Sequence, residues 1–158
     1  MTRAASPKEL RLFLVDDDAQ VRSGLRLLLA LNRDLTFCGE AEDAPTALDR
    51  MLALKPDLAI VDLCLKIGNG FDLVRQLRSQ SPELRILVLS MHDDLDSVAR
   101  ALQAGADGYL TKDEAADKIV EAIHAVIARH SYFTAKMALK WGAAATFKSP
   151  QRFPPRQS

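Results

Sequence analysis

Four places in the chain hold side chains able to do chemistry: the acidic run Asp16-Asp17-Asp18, a single aspartate at Asp62, a hydroxyl at Ser90 and an ammonium at Lys112. Each of them closes or follows a short apolar run, respectively Leu10 to Val15, Leu58 to Val61, Arg85 to Leu89 and Gly108 to Leu110. Carboxylates gathered without a cation raise one another's pKa and destabilise a fold, so two or three at one edge point to a divalent metal. Mg²⁺ suits this set, because it is hard and usually takes one or two carboxylates together with waters and phosphate oxygens. A carboxylate beside such an ion can attack a phosphoryl group and become an aspartyl phosphate. The incoming charge then needs donors of the kind that Ser90 and Lys112 supply. An acidic run is more commonly a solvated loop or a helix cap. Its place at a strand end, in register with Asp62, Ser90 and Lys112, overrides that reading for Asp16 and Asp17, whereas Asp18 is read as the cap of the helix that follows.

The elements that must position these groups are legible from hydrophobic period. The runs Leu10–Val15, Leu35–Gly39, Leu58–Val61, Arg85–Ser90 and Gly108–Thr111 are short, apolar and bounded by polar or turn residues, as buried strands are. Between them lie segments of helical spacing. The first carries Val21, Leu25, Leu28 and Leu29 within Ala19 to Leu31. The second starts at Asp43-Ala-Pro45, carries Leu48, Met51 and Leu52, and stops at Lys55-Pro56. The third carries Phe71, Val74 and Leu77; the fourth carries Leu95, Val98 and Leu102 and ends at Gly105. The fifth carries Ile119, Ile123, Val126 and Ile127. Five strand-helix units with right-handed crossovers predict a doubly wound α/β domain, a five-stranded parallel sheet covered on both faces, spanning residues 10–130. In such sheets ligands sit beyond the carboxyl ends of the strands. Residues 1–9 read as a disordered leader, 131–141 as a short helical extension with Phe133, Met137 and Trp141 packing at four-residue spacing, and 142–158 as a disordered tail.

Of the 158 residues 48% are hydrophobic, and 21 Lys and Arg balance 21 Asp and Glu, which excludes a global field drawing the chain to nucleic acid or an anionic membrane. No apolar run reaches membrane length and the polar start lacks a secretory core, so a cytoplasmic protein with no membrane contact is expected. Cys38 and Cys64 are too few for a zinc or disulfide framework and read as small core residues. The first turn, Asp16-Asp-Asp-Ala-Gln20, has acids where a nucleotide-binding phosphate cradle needs glycines.

Four motifs, Leu14-Val-Asp-Asp-Asp18, Ile60-Val-Asp-Leu63, Leu87-Val-Leu-Ser-Met-His-Asp-Asp94 and Gly105-Ala-Asp-Gly-Tyr-Leu-Thr-Lys112, together make the chain resemble the receiver domain of bacterial two-component response regulators. The resemblance implies a flavodoxin-like fold with strand order 2-1-3-4-5, the order for which such receivers are a standard illustration. It implies that Asp62 is the phosphoacceptor and that Asp16, Asp17, Asp62 and the Cys64 backbone carbonyl hold Mg²⁺. Ser90 and Lys112 then stabilise the phosphoryl group, and Tyr109 is a switch aromatic. The partners it implies are a sensor histidine kinase or phosphotransfer protein and a phosphorylation-dependent homodimer. Output is expected on the face of the fourth helix, fifth strand and fifth helix, Leu95 to His130.

Lys112-Asp113 and the Ser90-Met-His-Asp-Asp94 run resemble the branch normally fused to a LuxR-type helix-turn-helix, but the seventeen residues after Trp141 are too few to fold into a DNA-binding domain. Two departures stand out: Lys66 occupies the place of a loop proline, and a cis bond at Lys112-Asp113 would cost about 2.5 to 4 kcal/mol without proline. Rival readings fare worse. A haloacid-dehalogenase-type phosphatase would want a second acid where Cys64 stands, which argues against an enzyme with turnover. A phosphorylation-independent pseudo-receiver is at odds with the intact set Asp16, Asp17, Asp62, Ser90 and Lys112.

Overall fold

A computed structural model describes residues 9–134 and Met137. The five apolar runs are strands: β1 (Leu10–Val15), β2 (Leu35–Ala41), β3 (Leu58–Val61), β4 (Arg85–Ser90) and β5 (Gly108–Thr111). They form one parallel sheet of order β2-β1-β3-β4-β5. Helices α1 (Ala19–Leu29), α2 (Ala44–Leu54), α3 (Gly70–Gln80), α4 (Leu95–Ala104) and α5 (Ala115–Ile127) connect them. Four helices begin on a side chain that accepts from an otherwise unpaired N–H: Asp18 from Gln20, Asp43 from Thr46, Asn69 from Phe71 and Asp72, and Asp94 from Ser97. The cap role read for Asp18 is therefore seen. Lys55 ends α2 in the left-handed conformation and Gly105 ends α4 at φ 120°.

Alternate strand residues divide between two apolar layers. Phe13, Val15, Ala59, Val61, Ile86, Val88 and Tyr109 face α2, α3 and α4 through Met51, Leu73, Leu77 and Val98. Leu12, Leu14, Leu58, Ile60, Leu87, Leu89 and Leu110 face α1 and α5 through Leu25, Leu29, Ile119, Ile123 and Val126. Burial on both faces is why the strands read as continuous apolar runs rather than as alternating ones.

The boundaries differ from the sequence reading in two places. Helix α1 stops at Leu29, leaving Leu31 87% exposed in the turn beyond it. Strand β2 runs two residues further, to Ala41, because Ala41 pairs with Val15 at the end of β1. A bulge between Leu12 and Phe13 skips Cys38 and sets Phe13 opposite Gly39. A Cβ at Gly39 would stand 2.7 Å from the Phe13 ring. Past α5 the chain turns at Arg129 (φ 69°) and runs beside β5, where Tyr132 pairs with Gly108. The extension read over 131–141 thus starts with a non-helical stretch, and Met137 is helical. Residues 1–8, 135–136 and 138–158 lie outside the described residues, and with them fall Trp141, the tail and nearly all of the leader. No helix among the described residues is long and apolar enough to cross a membrane.

The amino edge of the sheet is tied by charge. Asp107, at the entry to β5, accepts from Arg78 Nη2 (2.9 Å) and from the Ile86 amide (2.9 Å). The same guanidinium donates to the carbonyls of Leu84 (2.7 Å) and Gly105 (2.9 Å). Removing one partner of a pair this buried leaves the other desolvated. Asp107→Ala is expected to lower stability by about 3 to 5 kcal/mol, read as a fall in the urea midpoint. A loss within experimental error would mean that the pair does not hold β4 and β5 together.

Candidate functional site

At the carboxyl edge Asp16 is 1% exposed and Asp62 4%, and Asp17 is half-buried. Each offers a carboxylate oxygen, and these oxygens lie within 4.8 Å of one another. The sheet order produces this convergence, because β1 and β3 are neighbours in register with Val15 opposite Val61, so the residues after them emerge side by side. Lys112 reaches in from the end of β5, with Nζ 2.9 Å from Asp16 Oδ2 and 3.0 Å from Asp62 Oδ2. Asp62 Oδ1 accepts from the Cys64 amide (3.1 Å), and Asp16 Oδ1 from the Asp18 amide (2.9 Å). Asp16 Oδ2 is buried and, despite the close ammonium, has no aligned hydrogen bond.

The electrostatics follow from burial. Desolvation pushes the Asp62 carboxyl up, more than the Cys64 amide and Lys112 pull it down, and the Asp16 charge adds to the rise. Desolvation also pulls against the Lys112 ammonium, but its contacts with the Asp16 and Asp62 carboxylates outweigh this and raise its pKa. Three carboxylates facing one ammonium, with a buried Asp16 oxygen that has no aligned hydrogen bond, are a donor set that fits a hard divalent cation.

Ser90 is fully buried, and its Oγ accepts from the His92 amide at 3.1 Å. The Tyr109 ring is buried too, and its hydroxyl donates to the His92 carbonyl at 2.7 Å; burial pushes that hydroxyl up to about 12. His92, read from the sequence as a surface residue, does have an exposed side chain. Sequence reasoning missed that its main chain joins Ser90 to Tyr109, since backbone contacts leave no trace in residue type. It also missed the close packing of Gly70, where a Cβ would stand 2.4 Å from the Asp62 carbonyl oxygen. The pair Asn69-Gly70 announces a helix start but not that approach.

Cys64 corrects the reading of both cysteines as core residues. Cys38 is half-buried against the core, but Cys64 is exposed, with Sγ 3.4 Å from His92 Nε2. The reason is that β3 ends at Val61, so the chain has already left the sheet by residue 64. Lys66 is exposed, and the loop it occupies is closed by the Gly70 amide donating to the Leu63 carbonyl (3.1 Å) and by Gly68 at φ 85°. Glycine conformations do there what a proline would otherwise do. The Lys112-Asp113 bond is trans, and Lys112 opens a 3-10 turn, Lys112–Glu114.

The family model described as the response regulator receiver domain matches residues 12–124. Among curated proteins, the chain is 38% identical over 122 residues to the DNA-binding transcriptional activator DevR/DosR of Mycobacterium tuberculosis, covering 77% of this chain and 56% of that protein. It is 34% identical over 113 residues to the nitrate/nitrite response regulator NarL of Escherichia coli, covering 72% and 52%. Among solved structures, a LuxR-family two-component response regulator from Aurantimonas aligns with TM-score 0.83 at 30% identity, over 88% of this chain and 99% of that one. The receiver domain of NarL from Mycobacterium tuberculosis aligns with TM-score 0.73 at 33% identity, over 77% and 98%. The chain spans about half the length of the curated relatives it matches.

Lys112 is the sole ammonium seen between the two buried carboxylates among the described residues, so Lys112→Ala should destabilise the fold at neutral pH by about 3 kcal/mol. Asp62 is raised above 3.8 in the folded chain, so its cost is present above the folded value and fades as pH falls through it. The deficit of the variant, followed by urea titration, should therefore shrink on acidification. A deficit that grew would contradict this placement of charge.

Proposed function

This chain belongs to the response regulator receiver domain family of two-component systems, and on that footing we propose that Asp62 is the residue that accepts the phosphoryl group. The observation that carries the reading is the Lys112 ammonium held within 3.0 Å of both Asp16 and Asp62. A group already paired with the carboxylate is then in place to meet the oxygens that arrive on it. The donor is a phosphohistidine of a sensor kinase or phosphotransfer protein. An Asp62 carboxylate oxygen attacks phosphorus, the P–N bond breaks, and the leaving imidazole keeps the electron pair and takes a proton. Asp16, Asp17, Asp62 and the Cys64 carbonyl would hold Mg²⁺, which when bound neutralises charge between the carboxylates and the anionic donor. Lys112 then shifts to the phosphoryl oxygens. Ser90, whose Oγ accepts from His92 and so keeps its own proton to donate, supplies a hydrogen bond to another of them.

Cys64 stands where a phosphatase of similar sheet would place its proton-donating acid, which supports a phosphoacceptor with slow hydrolysis over an enzyme with turnover. A phosphorylation-independent pseudo-receiver is not favoured, because every reactive group is present and convergent. Output runs through the face of α4, β5 and α5, with Tyr109 as the aromatic that leaves its inward position when Ser90 and the His92 backbone shift. The partners on that face are a second copy or another protein, and the setting is the cytoplasm.

Incubation with acetyl phosphate and Mg²⁺ should raise the intact mass by one phosphoryl group. Asp62→Asn and chelation by EDTA should each abolish the gain; a wild-type mass shift in Asp62→Asn would refute the assignment. With free Mg²⁺ at a hundredfold its Kd, the chain should gain about 2.7 kcal/mol of stability in thermal unfolding. The double variant Asp16→Asn/Asp17→Asn should lose most of that gain. Equal stabilisation of both would place the cation elsewhere.

A further inference from the structure

The stretch after α5 is held more firmly than a linker needs to be, and one of its ties leads back to the site. Tyr132 lies along the outer edge of β5, accepting from the Tyr109 amide at 3.0 Å, while its hydroxyl donates to Glu121 on α5 at 2.6 Å. Phe133 packs against the layer that contains Tyr109, Val98 and Leu102, and Met137 is buried in it. Thr134 is 3% exposed and its hydroxyl is fully used: it accepts from the Met137 amide (3.3 Å) and donates to Glu114 Oε1 (2.9 Å). The same Glu114 oxygen accepts from Thr111 Oγ1 at 3.0 Å. Thr111 immediately precedes Lys112, and Glu114 closes the 3-10 turn that Lys112 opens.

We propose that Glu114 is a latch: it ties the segment Ser131–Thr134 and Met137 to the turn that carries Lys112, and phosphoryl acceptance at Asp62 loosens that segment. The proposal rests on Asp62 being the phosphoacceptor. Lys112 is bonded to two carboxylates at 2.9 and 3.0 Å. A phosphoryl group on Asp62 extends the negative charge outward from the carboxylate, and Lys112 must follow it. Thr111 moves with Lys112 because they are adjacent, so Glu114 keeps Thr111 and gives up Thr134, whose segment is anchored elsewhere, on Tyr109 and α5. Both hydrogen bonds already lie at the long end of the O–H···O range, so a displacement that separates one pair further breaks it. The segment also meets Tyr109 at the β5 edge, where Tyr132 accepts from its amide, and Phe133 packs against the layer to which Tyr109 belongs. Its release therefore uncovers part of the face assigned to output.

Hydrogen exchange of the full chain, followed by mass spectrometry, tests this with acetyl phosphate and Mg²⁺ present or absent. Intact mass on the same sample reports whether Asp62 is occupied. Phosphorylation should speed exchange at the Tyr132 and Met137 amides about threefold to tenfold, the effect of losing one hydrogen bond. Glu114→Ala should give fast exchange in both states with phosphorylation intact. Thr134→Val should do the same, and Thr134→Ser, which keeps the hydroxyl, should restore wild-type behaviour. Unchanged or slower exchange in a sample that has gained the phosphoryl group overturns the latch. If no phosphoryl group is gained, the reading of Asp62 falls by itself. Lys112→Ala then decides the latch: it should loosen the same amides, and unchanged exchange there would overturn it.

Discussion

Two carboxylates almost wholly withdrawn from water, Asp16 and Asp62, stand at the ends of adjacent strands with the Lys112 ammonium between them. Their mutual repulsion and desolvation act against folding, and the ammonium offsets both only because three different strands end at one place. The order β2-β1-β3-β4-β5 is thus more than an architecture. It sets β1 beside β3 and brings the end of β5 within a lysine's reach of them. Residues separated by 46 and 50 positions in sequence become a single electrostatic unit, in which moving any member shifts the others. The rest of the carboxyl edge is arranged around that unit, from the Cys64 amide on Asp62 to the Asp18 amide on Asp16.

The opposite edge of the sheet is built by the same means for a different end. Arg78 and Asp107 join β4, β5 and the loops that enter them, the guanidinium donating to the Leu84 and Gly105 carbonyls and to the Asp107 carboxylate. There the Asp107 carboxylate meets two guanidiniums, those of Arg78 and Arg85. At the carboxyl edge the acids outnumber the base, and the Asp16 oxygen that faces the ammonium has no aligned hydrogen bond. A chain selected for stability alone would have no use for that imbalance, whereas a site that must accept a cation and further oxygens needs it.

Strand positions and the order of elements were legible because both faces of this sheet are buried, so each strand reads as a short apolar run, and two of them, β1 and β3, run directly into an aspartate. Two helix starts were legible for a similarly local reason, since Asp18 and Asp43 cap within three residues, whereas the caps that Asn69 and Asp94 give to α3 and α4 emerge only in the structure. What sequence could not give is whatever depends on backbone meeting backbone or on where the chain leaves the sheet. Cys64 was read as buried because its residue type is usually so, but its environment is decided by the end of β3 three residues earlier. The bulge at Cys38, the approach of Gly70 to the Asp62 carbonyl and the bond from Tyr109 to the His92 carbonyl are invisible for the same reason. The site residues themselves were found from strand ends, and their union was found only through the resemblance and the fold.

The arrangement around His92 shows how such a site can report its own state without a long pathway. The His92 amide holds Ser90 Oγ, and the His92 carbonyl holds the Tyr109 hydroxyl, so one peptide unit on either side of one residue connects the buried Ser90 hydroxyl to a buried aromatic. If Ser90 turns to donate to a phosphoryl oxygen, the His92 amide loses or lengthens its bond, and the residue as a whole can move. The Tyr109 hydroxyl must then either follow the carbonyl or find another partner, because leaving it unpaired in the core costs about 1 to 3 kcal/mol. The Tyr109 backbone amide is bonded to Tyr132 on the other side of the strand, so a change at His92 and a change at Lys112 converge on the same edge of β5 from two directions. A signal that depends on both is harder to trigger by thermal motion of either one, since each tie holds the edge in place when the other breaks.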